Sequence, residues 1–151
     1  MNLYQIEPYH PTEASTQIIL EKLALKYDWG EVRIKDSGKP TVQKGYVSVS
    51  HTQDILIIAY DLNQEMGIDI ECDRALSQNL IQRLNLDTLD PLKDWCLREA
   101  HIKLKDDKNQ LFKALPPDLY WTEFRIKPQC RGFMVSQQPI LHLEYKEESD
   151  L

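Results

Sequence analysis

Apolar and polar positions along the chain follow two periods, one helical and one β-like. Between Thr12 and Tyr27, Ile18, Ile19, Leu23 and Leu25 recur at helical spacing, with Pro11 and Thr12 as a start and Asp28, Trp29 and Gly30 as a stop. Short β-like runs follow at Val32 to Ile34, Tyr46 to Ser50, Ile55 to Leu62 and Met66 to Glu71. Gly38, Pro40, Gly45 and the polar stretch Thr52 to Asp54 separate them. Beyond Arg74 helical spacing returns, first from Ser77 to Leu84 and then from Pro91 to Lys105, where Asp90 is placed to cap and Pro91 to open the helix. Leu119 to Ile126, Gly132 to Ser136 and Ile140 to Tyr145 read as strands again. Helix followed by strands occurs twice, so the chain is expected to be α+β. The charged tail from Lys146 to Leu151 is expected to fray.

Composition narrows the class. With 151 residues, 42% of them hydrophobic and 28% charged, the chain is long enough for one compact unit that buries about two-thirds of the surface it exposes when unfolded. No apolar run reaches the roughly 18 residues of a membrane span, and the start MNLYQIEPYHPTE has no basic stretch leading into an apolar one. A cytoplasmic protein without a membrane role is expected. Cys72, Cys96 and Cys130 are widely spaced and contain no CxxC pair, so reduced thiols are expected in place of a disulfide framework or a zinc cage.

The net charge of -6 argues against nucleic acid as a partner, but its distribution is uneven. Asp61 to Asp73 contains five acids and no base, whereas Pro91 to Arg131 carries nine Lys or Arg against six Asp or Glu. One stretch suits a cation and the other an anion.

Three constellations give these stretches chemistry. In Gly67-Ile68-Asp69-Ile70-Glu71, a strand would turn Ile68 and Ile70 to a core and Asp69 and Glu71 together to the opposite side. Two adjacent carboxylates repel, and a divalent cation, magnesium first, relieves them; the plainer alternative is a solvated strand face. In the helix from Pro91 to Lys105, Asp94, Arg98, His101 and Lys105 form a polar face, while Glu99 and Lys103 fall inside the broad apolar arc. Charges placed there need a partner. Either Glu99 and Lys103 pair with each other at their spacing of four, or Glu99 joins Asp69 and Glu71 around a metal while Lys103 meets the anion the metal also holds. Upstream, Gly38-Lys39-Pro40 is a turn projecting a lysine, and Ser50-His51-Thr52 ends a strand; these groups suit phosphate, or a surface turn and a strand cap.

Taken in order, GKP, VSVSHT, GIDIE and WCLREAHIKL resemble the signature of the 4'-phosphopantetheinyl transferase superfamily over Ser37 to Leu104. Because GKP and VSVSHT precede GIDIE, the arrangement resembles the two-lobed, surfactin-synthetase-activating type, here shortened. The resemblance implies two similar helix-plus-three-strand lobes packed as a pseudo-dimer, residues 1–65 and 66–151, in a monomer. It implies Mg2+ held by Asp69, Glu71 and Glu99, with Glu99 also the catalytic base. Lys103 is implied in catalysis and in contact with the pyrophosphate of coenzyme A. Lys39 and His51, aided by Ser50 and Thr52, are implied at the phosphate of its 3'-phosphoadenosine end.

The implied reaction moves the phosphopantetheine arm of coenzyme A to a serine of an apo carrier protein, acyl, peptidyl or related, and releases 3',5'-adenosine bisphosphate. The shortened chain, with only 27 residues between Glu71 and Glu99, motivates an alternative: a transferase-like coenzyme A-binding or assembly protein without turnover. A magnesium phosphohydrolase using the same three acids is a third reading. Two positions depart from the family pattern, Arg98 in place of a lysine and Leu104 in place of a small residue.

Overall fold

The computed structural model describes residues 1–72, 74–149 and 151, for 13 and 14 the backbone alone. The chain is mixed α+β. Its first half runs β1 (Asn2–Ile6), α1 (Glu13–Tyr27), β2 (Val32–Ile34), β3 (Pro40–Val42), β4 (Tyr46–Thr52) and β5 (Ile55–Asp61). The second runs β6 (Met66–Cys72), α2 (Gln78–Leu84), α3 (Pro91–Lys105), a 3-10 turn (Lys108–Phe112), β7 (Tyr120–Lys127), β8 (Cys130–Ser136) and β9 (Glu144–Glu147). Among the described residues no helix is long and apolar enough to cross a membrane.

Two main sheets form. One has the order β4-β5-β1-β9, antiparallel except for the parallel β1–β9 pair; the other is antiparallel with the order β6-β8-β7. β2 and β3 make a separate hairpin. Period-two alternation explains the layering. Along β5, Leu56 and Ile58 pack with Leu20, Leu23 and Ala24 of α1 and with Tyr4 and Trp29. Ile55, Ile57 and Ala59 face the other way, onto Ile68, Ile70, Phe124 and Met134 of the second sheet. On the far side of that sheet, Phe133 and Val135 pack under Cys96, Leu97, Ala100 and Leu104 of α3. The order is therefore helix, sheet, sheet, helix.

The helix ends follow local chemistry. Thr12 and Ser15 form a reciprocal capping box on α1, and the side chains of Ser77 and Asp90 accept backbone N–H groups at the starts of α2 and α3. In α1 the buried stripe is Leu20, Leu23 and Ala24, whereas Ile18 and Leu25 of the expected apolar pattern are exposed.

Several expectations are corrected. Cys72 and Cys130 oppose each other across β6 and β8 and form a disulfide; their separation of 58 residues conceals a pairing that only the strand register creates. Cys96 alone is a free thiol, buried in α3. The tail does not simply fray. β9 begins at Glu144, later than the expected strand, and joins β1; Glu148 is buried, accepting a hydrogen bond from Tyr27 and pairing with Lys26 at 2.7 Å. Asp73, the last acid of the acidic stretch, and Asp150 of the tail lie outside the described residues.

His101 and Arg98, assigned to a solvated face, are both buried. The 3-10 turn folds back against α3, while Lys105 on the same face stays exposed. Arg98 is satisfied there by both carboxylate oxygens of Asp94 at 2.9 Å and by the carbonyls of Leu84, Asn85 and Leu111. His101 leaves Nδ1 without a partner, and burial, reinforced by Lys105, disfavours its protonated form.

Candidate functional site at the seam of β6 and α3

Gly67 allows the helix to lie directly on the strand. A Cβ at this position would run into the carbonyl oxygen of Ala100 and the backbone nitrogen of Leu104. With the backbones that close, residues of β6 alternate away from Ile68 and Ile70 toward α3, so Asp69 and Glu71 share a seam with Glu99 and Lys103. The two stretches singled out by charge meet here.

Asp69 is the buried centre of this seam. It is only 7% exposed; one oxygen accepts a hydrogen bond from Ser50 at 3.3 Å and lies 3.5 Å from the Lys103 ammonium. Its second oxygen, Oδ2, has no hydrogen-bond partner. Burial pushes its pKa up to about 6 against the pull of Lys103, with the charges of Glu99 and Glu71 adding to the rise. The Cys96 thiol beside it is pushed up as well, by burial and by the Asp69 charge.

Glu99 is half-buried, and its carboxyl is raised by burial first, opposed by Lys103, raised by Glu71 and opposed by Arg74. Among the described residues it has no salt bridge. The expected alternative of a Glu99–Lys103 pair is thus replaced by a longer-range one, Lys103 with Asp69. Glu71 pairs with Arg74 at 3.1 Å, and the Arg74 guanidinium stands 5.4 Å from the centre of the Trp95 ring.

The three acids lie along one seam but do not converge: among the described residues, no three Asp, Glu, His or Cys side chains gather as a ready ligand group. The donor chemistry nevertheless suits magnesium. That ion is commonly held by one or two carboxylates, with water and substrate phosphate supplying the remaining oxygens, and the unpartnered Asp69 oxygen is a hard, buried donor of this kind.

Beside the seam, on the other side of Lys103, a cleft of about 1080 Å³ opens between α1, the β2–β3 hairpin, β4 and α3. Its wall carries Lys35, Lys39, Lys103, Lys108 and His51, with Asp36 and Asp106 as acids. Lys39 donates to Glu65 at 2.8 Å and to the Leu104 carbonyl at 3.3 Å, which draws it toward the C-terminal end of α3. His51 is exposed on β4, with its ring 5.7 Å from that of Tyr9.

Not every expected residue reaches the cleft. Thr52 closes the β4–β5 hairpin and is not among its lining residues. Ser50 is buried, accepts the Ile70 N–H at 3.1 Å and donates to Asp69, so its hydroxyl is committed within the protein. Ser48 likewise accepts from Ile68 N–H at 3.1 Å. These two serines join β4 to β6 and so couple the cleft wall to the acidic strand. Asp69, Glu71 and Glu99 do not line the cleft; Lys103 touches both regions.

Sequence reasoning missed Arg74 and Glu65. Arg74 carried a usable signal, a base three residues after Glu71; Glu65 lies 26 residues from Lys39 and carried none. No family model and no curated protein matches this chain.

Proposed function

We propose that the chain transfers the 4'-phosphopantetheine arm of coenzyme A to a serine hydroxyl of an apo carrier protein. The observation that carries this reading is the meeting of GIDIE and the α3 motif at one seam, with Lys103 reaching from Asp69 to a lysine-lined cleft. The layering supports the corresponding fold reading: each main sheet has three antiparallel strands with a helix on its outer face. Two such lobes back to back would make the pseudo-dimer that the resemblance implies, with β9 added to the edge of the first sheet.

In the reaction a bond forms between the serine oxygen and the β-phosphorus of coenzyme A, and the bond from that phosphorus to the bridging oxygen breaks. 3',5'-Adenosine bisphosphate leaves, and the serine proton passes to Glu99. A carboxyl raised by burial is a better proton acceptor near neutral pH than an ordinary one. Lys103, half-exposed beside Asp69, carries its charge to the pyrophosphate, while Lys39 and His51 meet the 3'-phosphate in the cleft. Asp69, Glu71 and Glu99 would hold the magnesium ion, which supplies charge neutralisation at the transferring phosphoryl group.

A second reading, a coenzyme A-binding protein without turnover, is favoured by one observation: Lys103 and Arg74 already neutralise Asp69 and Glu71. Calorimetry with coenzyme A, run beside chromatographic detection of 3',5'-adenosine bisphosphate with and without apo carrier, separates the two. Carrier-dependent release supports the transferase; binding without release supports the second reading; hydrolysis without carrier supports a phosphohydrolase.

A further inference from the structure

Resting on the transferase reading, we propose that Arg74 occupies the cation position at Glu71 and exchanges with the divalent ion, so that Glu71 becomes a metal ligand only when the guanidinium leaves. Three acids along one seam repel, and the structure relieves them with side chains: Lys103 stands 3.5 Å from Asp69 and Arg74 donates to Glu71 at 3.1 Å. Each base holds its own carboxylate, and among the described residues no three acids converge on a common point.

Arg74 is suited to exchange. It lies outside helix and strand, its side chain is 46% exposed and has no other hydrogen bond among the described residues, so leaving breaks no secondary structure. The ring of Trp95, on α3 one turn before Glu99, gives the guanidinium a second face to rest on. The Trp95 indole Nε1 is buried without a partner, which makes its N–H a sensitive reporter of whether the cation above the ring has moved. Buried, unpartnered Asp69 Oδ2 supplies the oxygen that receives the ion once Glu71 is released.

The test uses Mg2+ alone, without coenzyme A or carrier, on the full chain. Calorimetry measures Mg2+ affinity, and the Trp95 indole N–H resonance, assigned through Trp95→Phe, reports on the guanidinium. A half-exposed ion pair is a modest competitor, so Arg74→Met should bind Mg2+ roughly three- to tenfold more tightly than the wild type, and Arg74→Lys should lie between them. In the wild type the Trp95 resonance should shift with the same midpoint as binding, and in Arg74→Met the shift should be largely lost. Equal affinity in wild type and Arg74→Met overturns the exchange. So does a Trp95 signal that ignores bound Mg2+, or a failure of both proteins to bind the ion. Transfer to carrier is scored separately, so loss of the exchange and loss of the transferase reading give different results.

Discussion

Replacing Ser50 by alanine distinguishes a cofactor contact from an internal joint. The Ser50 hydroxyl accepts the Ile70 N–H at 3.1 Å and donates to Asp69 at 3.3 Å, in surroundings closed to water. Alanine leaves a buried N–H with no acceptor, at about 1–3 kcal/mol, and removes one donor from an ionised carboxylate, so a total of about 2–4 kcal/mol is expected. For a chain of this size that lowers the melting temperature by roughly 4–16 °C. Ser48→Ala removes only the acceptor for Ile68 N–H and should cost about half as much. Urea unfolding at pH 7.5 measures both, and a cycle with Asp69→Asn isolates the part that passes through the carboxylate. Coenzyme A affinity of the folded Ser50→Ala protein should change by less than about threefold, because the hydroxyl does not face the cleft. A loss of stability below about 0.5 kcal/mol, or a tenfold loss of affinity in a protein of unchanged stability, would contradict an internal role for this hydroxyl.

Other outcomes follow from the same geometry. Asp69 has a folded-state pKa raised to about 6 from 3.8, so the folded chain holds its proton where the unfolded chain releases it. Its charge therefore costs stability in full above about pH 6 and nothing below about pH 4; Asp69→Asn should stabilise by about 2–3 kcal/mol at pH 7.5, fading toward pH 4, as denaturant titrations across pH will show. Glu71, Glu99, Lys103 and Cys96 face the same carboxyl, and the stabilised variant should be inactive. Arg98→Met strands Asp94 and three carbonyls and should cost about 3–5 kcal/mol by thermal melting, whereas Arg98→Lys recovers part of that because one ammonium cannot replace the fork. Glu65→Gln releases Lys39 from its ion pair; coenzyme A should then bind about two- to fivefold more tightly by calorimetry, with the gain shrinking in high salt.

The parts of this protein legible in its sequence are those fixed by local rules. Asp90 and Pro91 announce the start of α3, and Met66 to Glu71 announces β6, because caps and short-range periodicity act within a few residues. The approach of Asp69 to Lys103 was also within reach, since strand and helix periods assign a face to each. Features set by distant partners were not legible. β1 has no clean alternation, and its place between β5 and β9 depends on strands at both ends of the chain. His101 and Arg98 look solvated on a helical wheel yet are buried, Arg98 between carbonyls at the end of α2 and in the 3-10 turn, which lie far from it in sequence. The Cys72–Cys130 bond depends on the register of β6 against β8. The bonds of Ser50 to Ile70 and Asp69 were not legible either, because a hydroxyl between two strands can turn to either and sequence does not show that β4 and β6 meet through side chains.

Transferase activity is tested most directly by the intact mass of an apo carrier protein after incubation with this chain, coenzyme A and Mg2+. A small panel of fatty-acid, polyketide, peptidyl and D-alanyl carriers should be used, beside the Asp69→Ala and Glu99→Ala proteins. At least one carrier should gain one phosphopantetheine arm on its serine, and neither variant, though folded, should add it. No added arm on any carrier, under conditions where a control transferase loads them, would contradict it, as would undiminished transfer by either variant.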